Sequence, residues 1–294
     1  MANTFEPQKQ ERDHYLLSAL YLTPLTIPQL LELSRTWPVP FYSWDTLYHR
    51  LQKLRGGRWV RRWPYAIAVD GAKTYYKLTP AGYGTLVGSD AARAPGRYSF
   101  SQMTHPWHTY WLSRFIVKTL ITARTFGVTL QECYPDNTVP LAGDTSALYP
   151  DFLMTVVAHD GRRYHYCIEL DNATQSIRSE TNLDALEWKI RRYEAWQYAA
   201  AERGENFRVL FATTGSLAHA GNIAAVAADV LLEPRRELVL SCRLQDYLAA
   251  RNPFTQPVLL SQRGQRAAMI PRYARASRRP RWHSGLLAWR WQPA

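Results

Sequence analysis

The chain has 294 residues and a formal net charge of +12, from 36 Lys and Arg against 24 Asp and Glu; 46% of its residues are hydrophobic. That composition belongs to a globular chain rather than a disordered one, and the length suggests two domains. No run approaches the ~18 apolar residues of a membrane span, Met1 to Asp13 is too polar for a secretory signal, and Cys133, Cys167 and Cys242 are isolated, which excludes a disulfide framework or a cysteine-rich zinc site.

The expected setting is therefore a reduced, cytoplasmic one without a membrane partner. The charge is uneven. Residues 1–90 carry 11 basic and 7 acidic side chains, residues 91–246 carry 16 and 17, and residues 247–294 carry 9 arginines and no acid. Basic ends around a near-neutral middle point to a polyanion partner.

In chain order, Leu16, Leu17, Leu20 and Tyr21 recur at helical spacing and predict a helix over about 11–23. Thr26 is the expected N-cap of a second helix, with Pro28 in its first turn. Ser43 caps a third, whose apolar face is Leu47, Leu51 and Leu54, and Gly56-Gly57 stops it. Two strand-like runs follow, from Trp59 to Val69 and from Lys73 to Leu78, with Asp70-Gly71 between them as a hairpin signal. Thr79-Pro-Ala-Gly opens a short closing helix. Three helices, a basic hairpin and a fourth helix describe a winged helix-turn-helix over residues 1–88. Arg50, Lys53, Arg55, Arg58, Arg61, Arg62, Lys73 and Lys77 are its candidate DNA-binding residues, with one acid, Asp70, among them. Such groups reach phosphates and base edges.

Residues 89–101 are small and polar and read as a linker, followed by a helix over about 105–126. His105 and His108 lie three apart there, without a third ligand nearby in the sequence. The most informative stretch is Tyr149 to Asp171. Two strands flank Ala158-His-Asp-Gly161, which suits a type I turn with Gly161 left-handed and a bulge. That register pairs Ala158 with Arg162 and therefore Asp151 with Glu169. One face then holds Asp151, Leu153, Thr155 and Val157 with Arg163, His165, Cys167, Glu169 and Asp171. The opposite face is apolar. A strict two-residue turn would shift the register by one and separate the carboxylates. Carboxylates gathered at one sheet edge repel unless a cation joins them, and oxygen ligands favour Mg²⁺ or Mn²⁺.

Leu183, Leu186, Ile190, Tyr193 and Gln197 form the stripe of the next helix, over about 183–203. Lys189 lies at the stripe's edge, where it could lean toward the carboxylates; it is the only lysine after Lys118. A buried-type strand from Phe207, a helix capped by Thr214 or Ser216, and a strand from Glu237 complete an α/β core. No phosphate-cradling Gly-rich loop, GxSxG or HExxH is present.

On these residues the chain resembles the PD-(D/E)xK nuclease superfamily. More narrowly, it resembles the replication-relaxation family of plasmid and integrative-element proteins, some of which are mobilisation proteins. The resemblance rests on the winged-helix pattern, Pro150-Asp151 opening a strand, Glu169-Leu-Asp171 followed by Thr174, and Lys189-Ile-x-x-Tyr193, and covers roughly residues 12–240. It implies an α/β fold (α+β overall): the winged helix at 1–88, the linker, a nuclease-like domain with a mixed central sheet at 102–250, and an Arg/Trp-rich tail at 251–294. It implies Asp151, Glu169 and Lys189 as catalytic residues, and Asp151, Glu169, Asp171 and Glu132 as ligands of Mg²⁺ or Mn²⁺. Asp171 stands where the superfamily usually has its lysine. The expected activity is metal-dependent DNA nicking or cleavage in plasmid or mobile-element mobilisation or replication. The alternatives are an inactive DNA-binding accessory or regulator, and a transposon-end endonuclease. The expected partners are double-stranded DNA, single-stranded DNA at the tail, mobilisation or replication proteins, and a second copy in a homodimer.

Overall fold

The computed structural model describes residues 11–69, 72–88, 94–136, 148–173, 177, 185–202, 206–233 and 235–271. The turn at Asp70-Gly71, the start of the linker, Thr174, Leu183 and the arginine- and tryptophan-rich stretch after 271 lie outside them.

Three helices open the chain: α1 (Glu11–Leu22), α2 (Ile27–Ser34) and α3 (Trp44–Gly56). Thr26 caps α2 in a reciprocal box with Gln29, and the Ser43 hydroxyl accepts from the Thr46 amide at the start of α3. Strands β1 (Val60–Val69) and β2 (Ala72–Leu78) pair antiparallel, with Arg61 opposite Lys77 and Trp63 opposite Tyr75. Helix α4 (Pro80–Val87), capped by Thr79, closes this part. Gly82 allows α4 to press on the hairpin, since a Cβ there would meet the Trp59 carbonyl oxygen at 2.0 Å.

The second part is a seven-stranded mixed sheet with helices on both faces. After α5 (Pro106–Phe126) come β3 (Thr129–Pro135), β4 (Phe152–Val157) and β5 (Arg163–Asp171). Then α6 (Leu186–Glu202), β6 (Phe207–Thr213), α7 (Leu217–Val230), β7 (Val239–Arg243), α8 (Leu244–Ala249), β8 (Leu259–Ser261) and β9 (Arg266–Ala267) complete it. The strands lie in sequence order; β5, β6 and β7 are mutually parallel and the other neighbours antiparallel. Alternation sends Tyr166, Ile168 and Leu170 of β5 toward α5, α8 and the N-terminal helices, and Cys167 toward α6 and α7.

Three elements differ from the sequence reading. Strand β3 is new, because a bulge at Glu132, with φ of +49°, breaks its alternation. The sheet gains two further short strands, the last ending at Ala267, so the chain just after residue 250 packs with the sheet and is not a tail; Phe254, Leu259 and Met269 are fully buried. The later part of the expected linker is packed: Tyr98 is buried against Tyr21 and Tyr83, and its hydroxyl donates to the Tyr21 carbonyl at 3.0 Å. One apolar cluster accordingly runs unbroken from α1 to the sheet. No helix among the described residues is long and apolar enough to cross a membrane.

Candidate functional site

The β4–β5 hairpin has the register predicted from its turn. Phe152 pairs with Ile168 and Val157 with Arg163, the Ala158 amide donates to the Arg162 carbonyl at 2.9 Å, and Gly161 takes φ of +82°. This brings Asp151 beside the end of β5. The Leu170 amide donates to Asp151 Oδ2 at 2.7 Å, which fixes the carboxylate against the strand.

Glu169 is almost fully buried on the α6 side. Its Oε2 accepts from Lys189 Nζ at 2.8 Å and its Oε1 from the Tyr193 hydroxyl at 2.5 Å. Helix periodicity explains the pairing. Tyr193 lies one turn after Lys189, and Leu186, Ile190, Tyr193 and Gln197 all bury on the stripe that seats α6. Burial pushes the Glu169 carboxyl above its ordinary range and the charge of Asp151 pushes it further, while Lys189 pulls it back only in part. Burial works against the Lys189 charge, but Glu169, Asp151 and Asp171 together hold it protonated, above its ordinary value. Burial, and after it the charge of Glu169, hold the Tyr193 phenol well up.

Two histidines complete the surroundings. His108, in the first turn of α5, places Nε2 3.1 Å from Asp151 Oδ2. Burial lowers its affinity for a proton, but Asp151, Asp136 and Glu169 outweigh burial and raise it. His219, in the first turn of α7, places Nε2 2.7 Å from Asp171 Oδ2. Asp171 also accepts from Thr213 Oγ1 at 2.7 Å and from the Ala173 amide at 2.9 Å. Of the two histidines three apart at the start of α5, it is His108 that reaches the site, through an aspartate 43 residues away. His219 carried no sequence signal beyond its place near a helix start.

Glu132 is elsewhere. It accepts from Thr155 Oγ1 at 2.6 Å and from Arg163 Nη2 at 2.7 Å. Thr155 is four residues along β4 from Asp151, about 13 Å of strand. The structure thus gathers Asp151, Glu169, Lys189 and Asp171 and leaves Glu132 out. Among the described residues no three His, Cys, Asp or Glu side chains stand ready to hold a metal ion. The donor set still fits one in part. Three carboxylates act on a single ammonium, and Asp151 and Glu169 offer hard oxygen donors. Each Glu169 oxygen accepts one hydrogen bond, from Lys189 or Tyr193, so an ion held there would share the carboxylate with these two donors.

The N-terminal basic residues divide into two groups. Lys53, Arg55, Arg58, Arg61 and Arg62 are exposed. Arg50 is not: it forms a buried bidentate ion pair with Asp13 of α1. Lys77 is buried too, its ammonium donating to the Ser101 carbonyl at 3.1 Å while burial lowers its proton affinity. Both therefore leave the candidate DNA-binding set for structural reasons. The Lys73 side chain lies outside the described residues. Between α3 and β1 the exposed arginines border a groove of about 650 Å³ lined by Gln52, Arg55, Arg58, Arg61, Thr79 and Phe100.

Comparison with protein-family models, curated proteins and solved structures gives no match to the chain.

Proposed function

We propose that the protein is a DNA-binding, divalent-metal-dependent nuclease or nicking protein of the cytoplasm, serving plasmid or mobile-element mobilisation or replication. The observation that carries this reading is the meeting of Asp151, Glu169 and Lys189, which come from three separate segments, at the end of a parallel strand pair. Open α/β sheets place their chemistry at such carboxyl ends. The order α1–α2–α3–hairpin–α4 supports a winged helix-turn-helix, and its exposed arginines suit phosphates. The helix-flanked mixed sheet supports a restriction-endonuclease-like core.

In this reading Asp151 and Glu169 hold Mg²⁺ or Mn²⁺, which when bound supplies charge against the transition state of phosphodiester cleavage and makes water more acidic. Lys189 offers a protonated ammonium beside the scissile phosphate. The Leu170 amide and Tyr193 orient the two carboxylates, and His108 can hold or accept a proton at Nε2. Asp171, bonded to Thr213, His219 and the Ala173 amide, positions the end of β5.

Nicking of supercoiled DNA tests this. Asp151→Ala is expected to abolish Mg²⁺- or Mn²⁺-dependent nicking while DNA binding survives; undiminished nicking by that variant overturns the site. A second reading, an accessory that binds DNA without cutting it, is favoured by the engagement of both Glu169 oxygens by protein donors. Salt-sensitive DNA binding by the wild type with no nicking in either metal selects it.

A further inference from the structure

The groove between α3 and β1 has features that a purely electrostatic contact with duplex DNA does not need. Its volume, about 650 Å³, falls within the ~300–1,000 Å³ of sites that hold one small organic ligand. Three of its lining residues are arginines, and among the described residues none of its lining is acidic. Its wall includes Phe100, a residue that is 53% exposed.

Phe100 is held in place without being covered. Before it, Tyr98 is buried in the aromatic stack with Tyr21 and Tyr83. After it, the Ser101 carbonyl accepts from Lys77, Gln102 Nε2 donates to the Pro64 carbonyl at 3.4 Å, and the Met103 amide donates to the Tyr75 hydroxyl at 3.0 Å. The Arg61 guanidinium lies 4.4 Å from the Trp63 ring centroid and 5.7 Å from that of Phe100, so one cation sits between two aromatic rings. Fixed aromatic faces beside arginines are how proteins take unpaired bases and their phosphates. A face that serves only to repel water would not need its segment held by two backbone hydrogen bonds and one from the Gln102 side chain.

The groove is also tied to the acidic site. The segment from Phe100 leads in eight residues to His108, which touches Asp151. That chain spans at most about 28 Å when extended, so about eight nucleotides of single strand at roughly 3.4 Å each, or fewer when stretched, are enough to bridge the two.

We propose that this groove is a site for an unpaired nucleotide of DNA, with Arg55, Arg58 and Arg61 on its phosphates and Phe100 stacked on its base. The proposal rests on the DNA-binding reading above and deepens it: the substrate is DNA with a junction between paired and unpaired strand, not uniform duplex.

The test compares full-length protein on a blunt duplex and on a forked duplex of the same sequence, the fork carrying 5-iodouracil at its first unpaired position. The wild type is expected to bind the fork more tightly and to crosslink at Phe100 on irradiation. Phe100→Ala is expected to weaken fork binding about tenfold, the scale of one lost base-stacking contact, with duplex binding unchanged. Phe100→Trp is expected to keep the preference, which separates lost stacking from a misfolded variant. Equal affinity for fork and duplex, an unchanged ratio in Phe100→Ala, or a crosslink mapped away from the groove overturns the proposal. If the duplex binds in a salt-dependent manner while any of these holds, only this proposal falls. If neither DNA binds, the DNA-binding reading falls with it.

Discussion

Positive charge is handled in opposite ways in the two parts of the molecule. Around the groove, Arg55, Arg58 and Arg61 are exposed, and no acid among the described residues lines the space they border. At the end of the sheet, one ammonium, Lys189, stands among Glu169, Asp151 and Asp171. Exposed, unopposed charge acts at range and is screened beyond about 8 Å at physiological ionic strength. Buried charge is screened far less and acts much more strongly on the groups around it. The first arrangement suits capture of a polyanion, and the second suits chemistry on one bond. Arg50 belongs to the first part by position and to the second by environment, so it is the sharpest probe of the difference.

Arg50→Ala is expected to cost about 4 kcal/mol, because it leaves Asp13 charged and buried without its partner. Urea unfolding measures this. The DNA affinity of the folded fraction is expected to stay unchanged. A stable variant with weakened DNA binding would return Arg50 to the interface and break the comparison.

Lys189→Met comes next, at about 3 kcal/mol, since the Lys189 side chain is partly exposed. Here the two parts should diverge in their response to metal. Lys189 and a divalent ion neutralise the same carboxylates, so millimolar Mn²⁺ is expected to raise the melting temperature of Lys189→Met more than that of the wild type. Equal shifts would mean that the ion, if it binds, does so away from Glu169.

The groove arginines should barely affect stability. Arg55→Ala or Arg61→Ala is expected to lower the slope of log affinity against log salt by about 1, uniformly across DNA sequences. Titrations at several salt concentrations by fluorescence anisotropy read this directly. A loss confined to one sequence would instead make the residue a reader of bases.

What the sequence revealed follows the range of the interactions. The hairpin register was legible because Gly161 supplies the one backbone conformation that the bulged turn requires. Lys189 was legible because a single helical stripe fixes its angle relative to Tyr193. The partners of His108 and His219 were not, since each bond joins residues more than 40 apart, on elements whose docking no local pattern encodes. The burial of Arg50 left a trace that charge counting passed over. Asp13 precedes Leu16 and Leu17 at helical spacing, and Arg50 stands between Leu47 and Leu54 on the stripe of α3, so an acid and a base each lie on an apolar face. Strand β3 was hidden because Glu132 at positive φ and Pro135 both argue against a strand.

Glu132 supplies the smallest effect and a last separation between metal ligand and structural carboxylate. The Thr155 hydroxyl, and then Arg163, hold its carboxyl below the ordinary range. A depressed folded value means that the contribution to stability is complete above the unfolded value, about 4.3, and is lost as pH falls through the folded one. Because the side chain is 43% exposed, solvent screening keeps that contribution under about 1 kcal/mol. Glu132→Gln should therefore melt slightly below the wild type at pH 7, and the gap should close in acid below about pH 4. Its response to Mn²⁺ should match the wild type, because Glu132 lies along the strand from Asp151 and Glu169. A lost Mn²⁺ response would restore it to the acidic site.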